Sequence, residues 1–233
     1  MRLTIVCCRI GPAAAIAVAM AGMMLSGCST WSKLTTSQKT LEEQRKYGST
    51  ADQRIETLQA DAAKAKAGGQ HDRVEFTRGL VEAMLAEHDP RVRCGIVEIA
   101  AGFDTPAAVA ISKGALEDPD VRVRMAACTA WRTRGGAEAV DMLASRYRSD
   151  REIDVRLRAL RELGQLGDKE AVPVLAKALE DPDPAVQYRA VAALKQVSGR
   201  DLGDDVNRWR EWAADPDGST AEWSIAEGFR QLF

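Results

Sequence analysis

Few residues in this chain have the type and spacing that chemistry needs. Its 233 residues include five cysteines and two histidines. His71 and His88 fall near opposite ends of one expected helix, too far apart to form a close pair within it. No Cys-pair or His-rich spacing of a metal site occurs. No glycine-rich phosphate loop or nucleophile elbow is present either. The acidic pairs Asp118/Asp120 and Asp181/Asp183 sit in turn-like sequence, where an aspartate serves better as a helix cap than as a cation ligand. Cys28 is different. It closes the run Leu25-Ser26-Gly27-Cys28, which follows an apolar stretch from Ile10 to Leu25. Arg2 and Arg9 are the only charges before Lys33. A basic start, an apolar middle and small residues at the cut make up an export signal.

The run 25–28 resembles the bacterial lipobox. The resemblance implies that Cys28 receives a diacylglyceryl group, that cleavage falls just before it, and that its new amino group is acylated, with palmitate as the expected chain. Two or three chains hold a protein durably where one holds it only reversibly. The competing reading is a membrane-spanning helix. A span needs about 20 apolar residues, and the stretch from Ile10 to Gly27 is shorter and contains Gly11, Pro12 and Gly22. Ser29 follows the lipidated position where an Asp would signal retention, which favours the outer membrane over the inner one.

The formal net charge is −2, and it becomes more negative once Arg2 and Arg9 leave with the signal. The charges are mixed along the chain without a basic run, which argues against a nucleic-acid partner. Cys7 and Cys8 leave as well, so Cys94 and Cys128 are the remaining free thiols. An exported protein could join them, but their register in the repeat, described next, argues against it.

The chain repeats itself. Val92, Val123, Val155 and Val186 recur at intervals of 31, 32 and 31 residues. Val109, Val140 and Val172 follow the same register, as do Leu116, Tyr147 and Leu179. Each unit reads as two helices. The first starts near Asp89-Pro90, Asp118-Pro119, Asp150 or Asp181-Pro182, where Asp caps the helix and Pro is tolerated in its first turn. Apolar residues then recur at helical spacing, as in Val155, Leu157, Leu160 and Leu163. A turn such as Arg134-Gly135-Gly136 or Leu166-Gly167-Asp168 leads into a shorter second helix, expected over 137–147 and 169–179. Neither helix can bury its apolar stripe alone, so the pairs must stack. In this register Cys94 aligns with Met125, Leu157 and Tyr188, and Cys128 with Val97, Leu160 and Val191. Both thiols are therefore expected in the core.

The stretches 118–127 (DPDVRVRMAA) and 155–179 (VRLRALRELGQLGDKEAVPVLAKAL) resemble the HEAT-like repeat family, in the small-residue form also found in phycobilisome-lyase-type repeats. The resemblance covers about 87 to 200 and extends back through a degenerate pair at 51–66 and 72–87. It implies an all-α fold, a short α-solenoid of about four to five stacked antiparallel helix pairs. It also implies that Arg93, Arg124 and Arg156 pair with turn acids in a ladder between units, broken at Gln187. By the same resemblance the second helices line a concave face that binds a protein partner, with Lys113, Asp141, Ser145, Lys177 and Glu180 as exposed candidates.

The ends differ from the repeats. Residues 1–27 are read as the signal and 28–49 as a polar tether, followed by the solenoid over 50–200. Val206, Trp209 and Ala213 share a helical face in 201–215, with Trp212 at its edge, an aromatic cap for the open end. In 216–233, Trp223, Ala226, Phe229 and Phe233 have helical spacing, and this amphipathic tail either folds back or docks on a partner, with Trp223, Phe229 and Phe233 as its contacts. No catalytic, cofactor-binding or metal-binding set is expected. The expected function is a non-enzymatic, membrane-anchored protein-binding scaffold of the cell envelope. The alternatives are an accessory of a lyase-like enzyme related to bilin attachment proteins, and a structural envelope component that docks through its tail.

Overall fold

A computed structural model describes Lys46 and residues 48–216. These residues contain ten α-helices and no strand. The helices are α1 (Ala51–Ala67), α2 (Gln70–Ala86), α3 (Pro90–Ala101), α4 (Pro106–Ala115), α5 (Val121–Arg134), α6 (Gly136–Ser149), α7 (Ile153–Leu166), α8 (Val172–Ala178), α9 (Pro184–Ser198) and α10 (Val206–Ala214). A 3-10 turn, Lys169–Ala171, leads into α8. The odd-numbered helices are the first members of each pair and the even-numbered ones the second, which gives five stacked pairs.

The caps lie slightly later than the sequence suggests. Asp89 does cap α3, accepting from the Arg91 N–H at 2.9 Å. In the next units the cap is the second acid of each pair, Asp120 for α5 and Asp183 for α9, in register with Asp89, rather than the expected Asp118 and Asp181. Asp120 accepts from Arg122 N–H at 2.9 Å and Asp183 from Ala185 N–H at 2.8 Å. Glu152 occupies the equivalent place before α7 without a side-chain capping bond. The physical reason is that Asp118, Asp150 and Asp181 are taken up one step earlier. They accept from the backbone N–H of Asp120, Glu152 and Asp183, folding the chain into the turn that the second acid then caps. Within each pair the glycines do the opposite job. Gly135 joins α5 to α6 at φ 73°, ψ −173°, a conformation open essentially to glycine alone.

The core is a column of small aliphatic side chains. Val92, Val123, Val155 and Val186 are all buried, as are Leu116, Tyr147 and Leu179. In the other track Val140 and Val172 are buried and Val109 is partly exposed. Cys128 is fully buried, whereas Cys94 is only half-buried, and both are free thiols. The core placement expected for Cys94 is therefore corrected. Its register-mates Met125 and Leu157 are also partly exposed, and Tyr188 is 64 % exposed. This track lies at the edge of the contact between successive first helices, and at Tyr188 in α9 no further first helix follows among the described residues.

The first helices approach one another closely because small residues face each other. A Cβ on Gly164 of α7 would lie 2.7 Å from the Ala193 Cα of α9. One on Gly95 of α3 would lie 3.0 Å from Ile55 of α1. At the far end, α10 buries Trp209 completely, and its indole N–H donates to the Gly203 carbonyl at 2.8 Å. Trp212 packs edge-on against it, with ring centroids 5.5 Å apart. Arg210 donates to the Leu179 carbonyl at 2.6 Å and ties the last helix back to the preceding unit.

Gly164→Ala separates helix propensity from packing. Alanine favours an isolated helix by about 1 kcal/mol over glycine, but here its methyl meets backbone. Thermal and urea unfolding should show a net loss of about 1–3 kcal/mol, as overpacking gives. A stabilised variant would mean that α7 and α9 can separate without cost.

Candidate functional site

An apolar groove lies on the surface of the stack between the second helices α2 and α4. Its volume is about 470 Å³. Val81, Met84 and Leu85 line it from α2, and Ala110, Ile111, Gly114 and Ala115 from α4. Leu85 is 82 % exposed. Single exposed leucines are ordinary, but one set beside a continuous apolar trough marks a place where another surface can settle.

Two sets of polar contacts hold the groove open at a fixed width. The first lies inside. The Thr105 hydroxyl, at the cap of α4, donates at 2.9 Å to the Thr77 hydroxyl of α2, which in turn donates to the Arg73 carbonyl at 2.8 Å. Thr105 also accepts from the Ala108 N–H at 3.2 Å. Both threonines are buried, and every link in this chain is satisfied. On the opposite side of α4, the buried Trp131 indole donates to the Ser112 carbonyl at 3.1 Å. It pins α4 to α5 and turns Ala110 and Gly114 outward.

The second set is an arginine–carboxylate ladder, and one of its rungs closes the end of the groove. Arg93 grips Asp118 with two bonds, 2.8 Å from Nε and 2.9 Å from Nη2. Its third nitrogen donates to the His88 carbonyl at 3.0 Å. Arg124 repeats the arrangement one unit on, with Asp150 at 2.9 and 3.1 Å and the Asp118 carbonyl at 2.9 Å. Arg156 pairs with Asp181. Gln187 keeps only the backward contact, donating to the Asp181 carbonyl at 2.7 Å. The sequence had no signal for a rung in the first unit, yet Arg54 pairs with Glu87 at 3.3 Å. Arg54, Arg93, Arg124 and Arg156 are each the fourth residue of their helix. The longer helices of the first pair shift Arg54 out of the linear 31-residue register.

A second ionic cluster was also not legible. Glu162 of α7 is 1 % exposed and accepts from Arg132 at 2.6 Å, Thr129 at 3.2 Å and Arg158 at 3.3 Å. It locks α5 to α7. The only trace in the sequence is the helical spacing of Arg158 and Glu162.

The groove is electrostatically lopsided. The C-terminal ends of α2 and α4 both point to the ladder end, where the helix dipoles are negative. Glu87 and Glu117 line the same end, and Glu117 is mostly exposed while it pairs with Arg146. A basic group is favoured there.

The predicted contact residues do not gather in this groove. Lys113, Asp141, Ser145 and Lys177 are exposed, on α4, α6, α6 and α8 respectively. None of them lines the trough. Lys177 forms an exposed ion pair with Glu180. Cys28, Trp223, Phe229 and Phe233 lie outside the described residues. His71, near the start of α2, and His88, in the loop that follows α2, are both exposed. Burial pushes the Cys128 thiol up to about 12 and raises Cys94 as well, so neither is a reactive thiolate at neutral pH. Among the described residues there is no cluster of three potential metal ligands.

Asp150 shows what the ladder does to a carboxylate. Burial pushes its pKa up, but the bonds from Arg124, the Glu152 N–H and Arg146 outweigh burial and hold it below the usual value. A depressed pKa in the folded state gives stability that is present above the unfolded value, about 3.9, and is lost as pH falls through the folded one. Asp150→Asn should therefore cost about 3 kcal/mol at pH 7, the penalty for breaking a buried pair. The gap to the unaltered chain should narrow at about pH 3, as read from urea midpoints. An equal gap at both pH values would contradict this.

A family model for HEAT repeats matches residues 77–153 and 141–228. No curated protein matches the chain.

Proposed function

Because the chain belongs to the HEAT-repeat family, we propose that it is a non-enzymatic scaffold that takes an amphipathic helix of a protein partner into the α2–α4 groove. HEAT repeats mediate protein binding in general, and the single observation that carries the proposal is the apolar trough with Leu85 standing 82 % exposed at its edge. Helix-in-groove recognition reads apolar anchors at i, i+3 and i+4 from one face. The partner helix should present such a face, with a basic residue toward Glu87 and Glu117. Lys113 is exposed on α4, adjacent in sequence to Gly114 of the trough lining. Asp141, Ser145 and Lys177 belong to a broader, secondary surface.

The second half of the proposal concerns place. An export signal ending at Gly27, followed by a lipidated Cys28, would tether the scaffold to the envelope membrane. No helix among the described residues is long and apolar enough to cross a membrane. Support for the anchor comes from the basic, apolar and small-residue segments of 1–28.

One cell experiment tests both halves. Crosslinking in intact cells should capture a discrete envelope partner, and Leu85→Glu should reduce that capture by about tenfold or more, as placing a charge against an apolar contact does, with melting unchanged because the side chain is exposed. Radiolabelled palmitate should enter the unaltered chain and not Cys28→Ala. Undiminished capture by Leu85→Glu would remove the groove from the account. Palmitate retained in Cys28→Ala would remove the anchor.

A further inference from the structure

A second groove opens at the far end of the stack, and its geometry is independent of the α2–α4 trough. It measures about 550 Å³ and is lined by Val172 and Pro173 at the start of α8, Val197 at the end of α9, and Trp212 and Ala213 of α10. Lys169 and Arg200 stand on its rim. Both are exposed, and neither forms an ion pair with another described residue. The indole Nε1 of Trp212 is buried without an acceptor among the described residues, which is a disfavoured state for a polar group. Pro216, the last residue described, is itself part of the lining.

We infer that this groove is the seat of the chain's own residues 217–233, with Trp223 as the anchoring side chain. Five observations meet here. The segment begins at the rim, so it needs no crossing of the surface. Seven residues from Pro216 to Trp223 span about 10 Å as helix and about 23 Å extended, which brackets the reach to a groove that Pro216 already touches. The segment carries Asp217, Glu222 and Glu227 against a single base, Arg230, which complements Lys169 and Arg200. Its apolar residues Trp223, Ala226, Phe229 and Phe233 share a helical face. The HEAT-repeat match also continues through residue 228 rather than stopping at α10.

A short connection raises the effective concentration of the segment at its own groove far above that of a separate molecule. The tail thus closes the end of the stack in cis. The aromatic cap of α10 is half of the terminal structure, and the segment 217–233 is the other half. The groove supplies apolar contacts, two cationic rim positions and an indole N–H that seeks an acceptor.

Hydrogen exchange of the full chain, read by mass spectrometry, tests this. Amides of 219–233 should exchange about tenfold or more slowly than an unstructured peptide of the same sequence, at every protein concentration. Trp223→Ala should abolish that protection while leaving α3 to α7 unaffected. The double variant Lys169→Glu/Arg200→Glu should also abolish it. Absence of protection in the unaltered chain would overturn the inference, as would protection that survives either variant. Protection that rises with concentration would assign the groove to the tail of a second copy and overturn the cis reading.

Discussion

Every loop between successive helix pairs is organised by one arginine. At the fourth position of each first helix from α1 to α7, a guanidinium reaches forward to a carboxylate in the next loop. Arg93 and Arg124 also reach back to carbonyls of their own loop. The carboxylate is equally committed, because it also accepts from the backbone N–H two residues on. Each rung therefore fixes two turns at once and sets the distance between neighbouring units. Buried ion pairs are weak contributors to net stability, because desolvation offsets much of their attraction. Their use here lies in register. An aliphatic column of Val, Leu and Ala would tolerate sliding, and the fork of Arg on Asp, with its planar two-bond geometry, does not.

That constraint propagates to the surface. With the turns fixed, the second helices α2 and α4 are held side by side by the Thr77–Thr105 bond within and the Arg93–Asp118 rung at the end. The gap left between them is the α2–α4 groove. Small residues do the complementary work in the first-helix layer, where Gly164 against Ala193 allows helix backbones to come close. The α2–α4 groove is thus a consequence of how the interior is spaced. The Cys128 thiol, buried in the core, belongs to that packed interior.

Much of this was legible in the sequence. The Val and Leu tracks carried the repeat, and the resemblance to HEAT-like repeats implied the ladder on the Arg after each Val, with its break at Gln187. What escaped has physical reasons. The caps moved from Asp118 and Asp181 to Asp120 and Asp183 because the first acid of each pair is needed by the ladder, and sequence alone cannot say which of two acids an arginine will claim. The Arg54 rung was hidden because the first pair has longer helices. Cys94 sits on a track that is core-like by spacing but edge-like in the stack. The α2–α4 groove was invisible, since Leu85 and Gly114 become neighbours only after α2 and α4 are aligned. The polar candidates Lys113, Asp141, Ser145 and Lys177 were correctly exposed, yet exposure alone did not bring them to a common place.

A double-mutant cycle on the rung that closes the α2–α4 groove tests the central role of the ladder most directly. Arg93→Gln imitates the natural substitution at Gln187, and Asp118→Asn removes the charge while keeping the turn. Urea unfolding of the two single variants and the double variant should give a coupling free energy of about 1–3 kcal/mol, the range for residues acting as one unit. Additivity within about 0.5 kcal/mol would show that the two side chains act separately and that the stack holds its register without the rung.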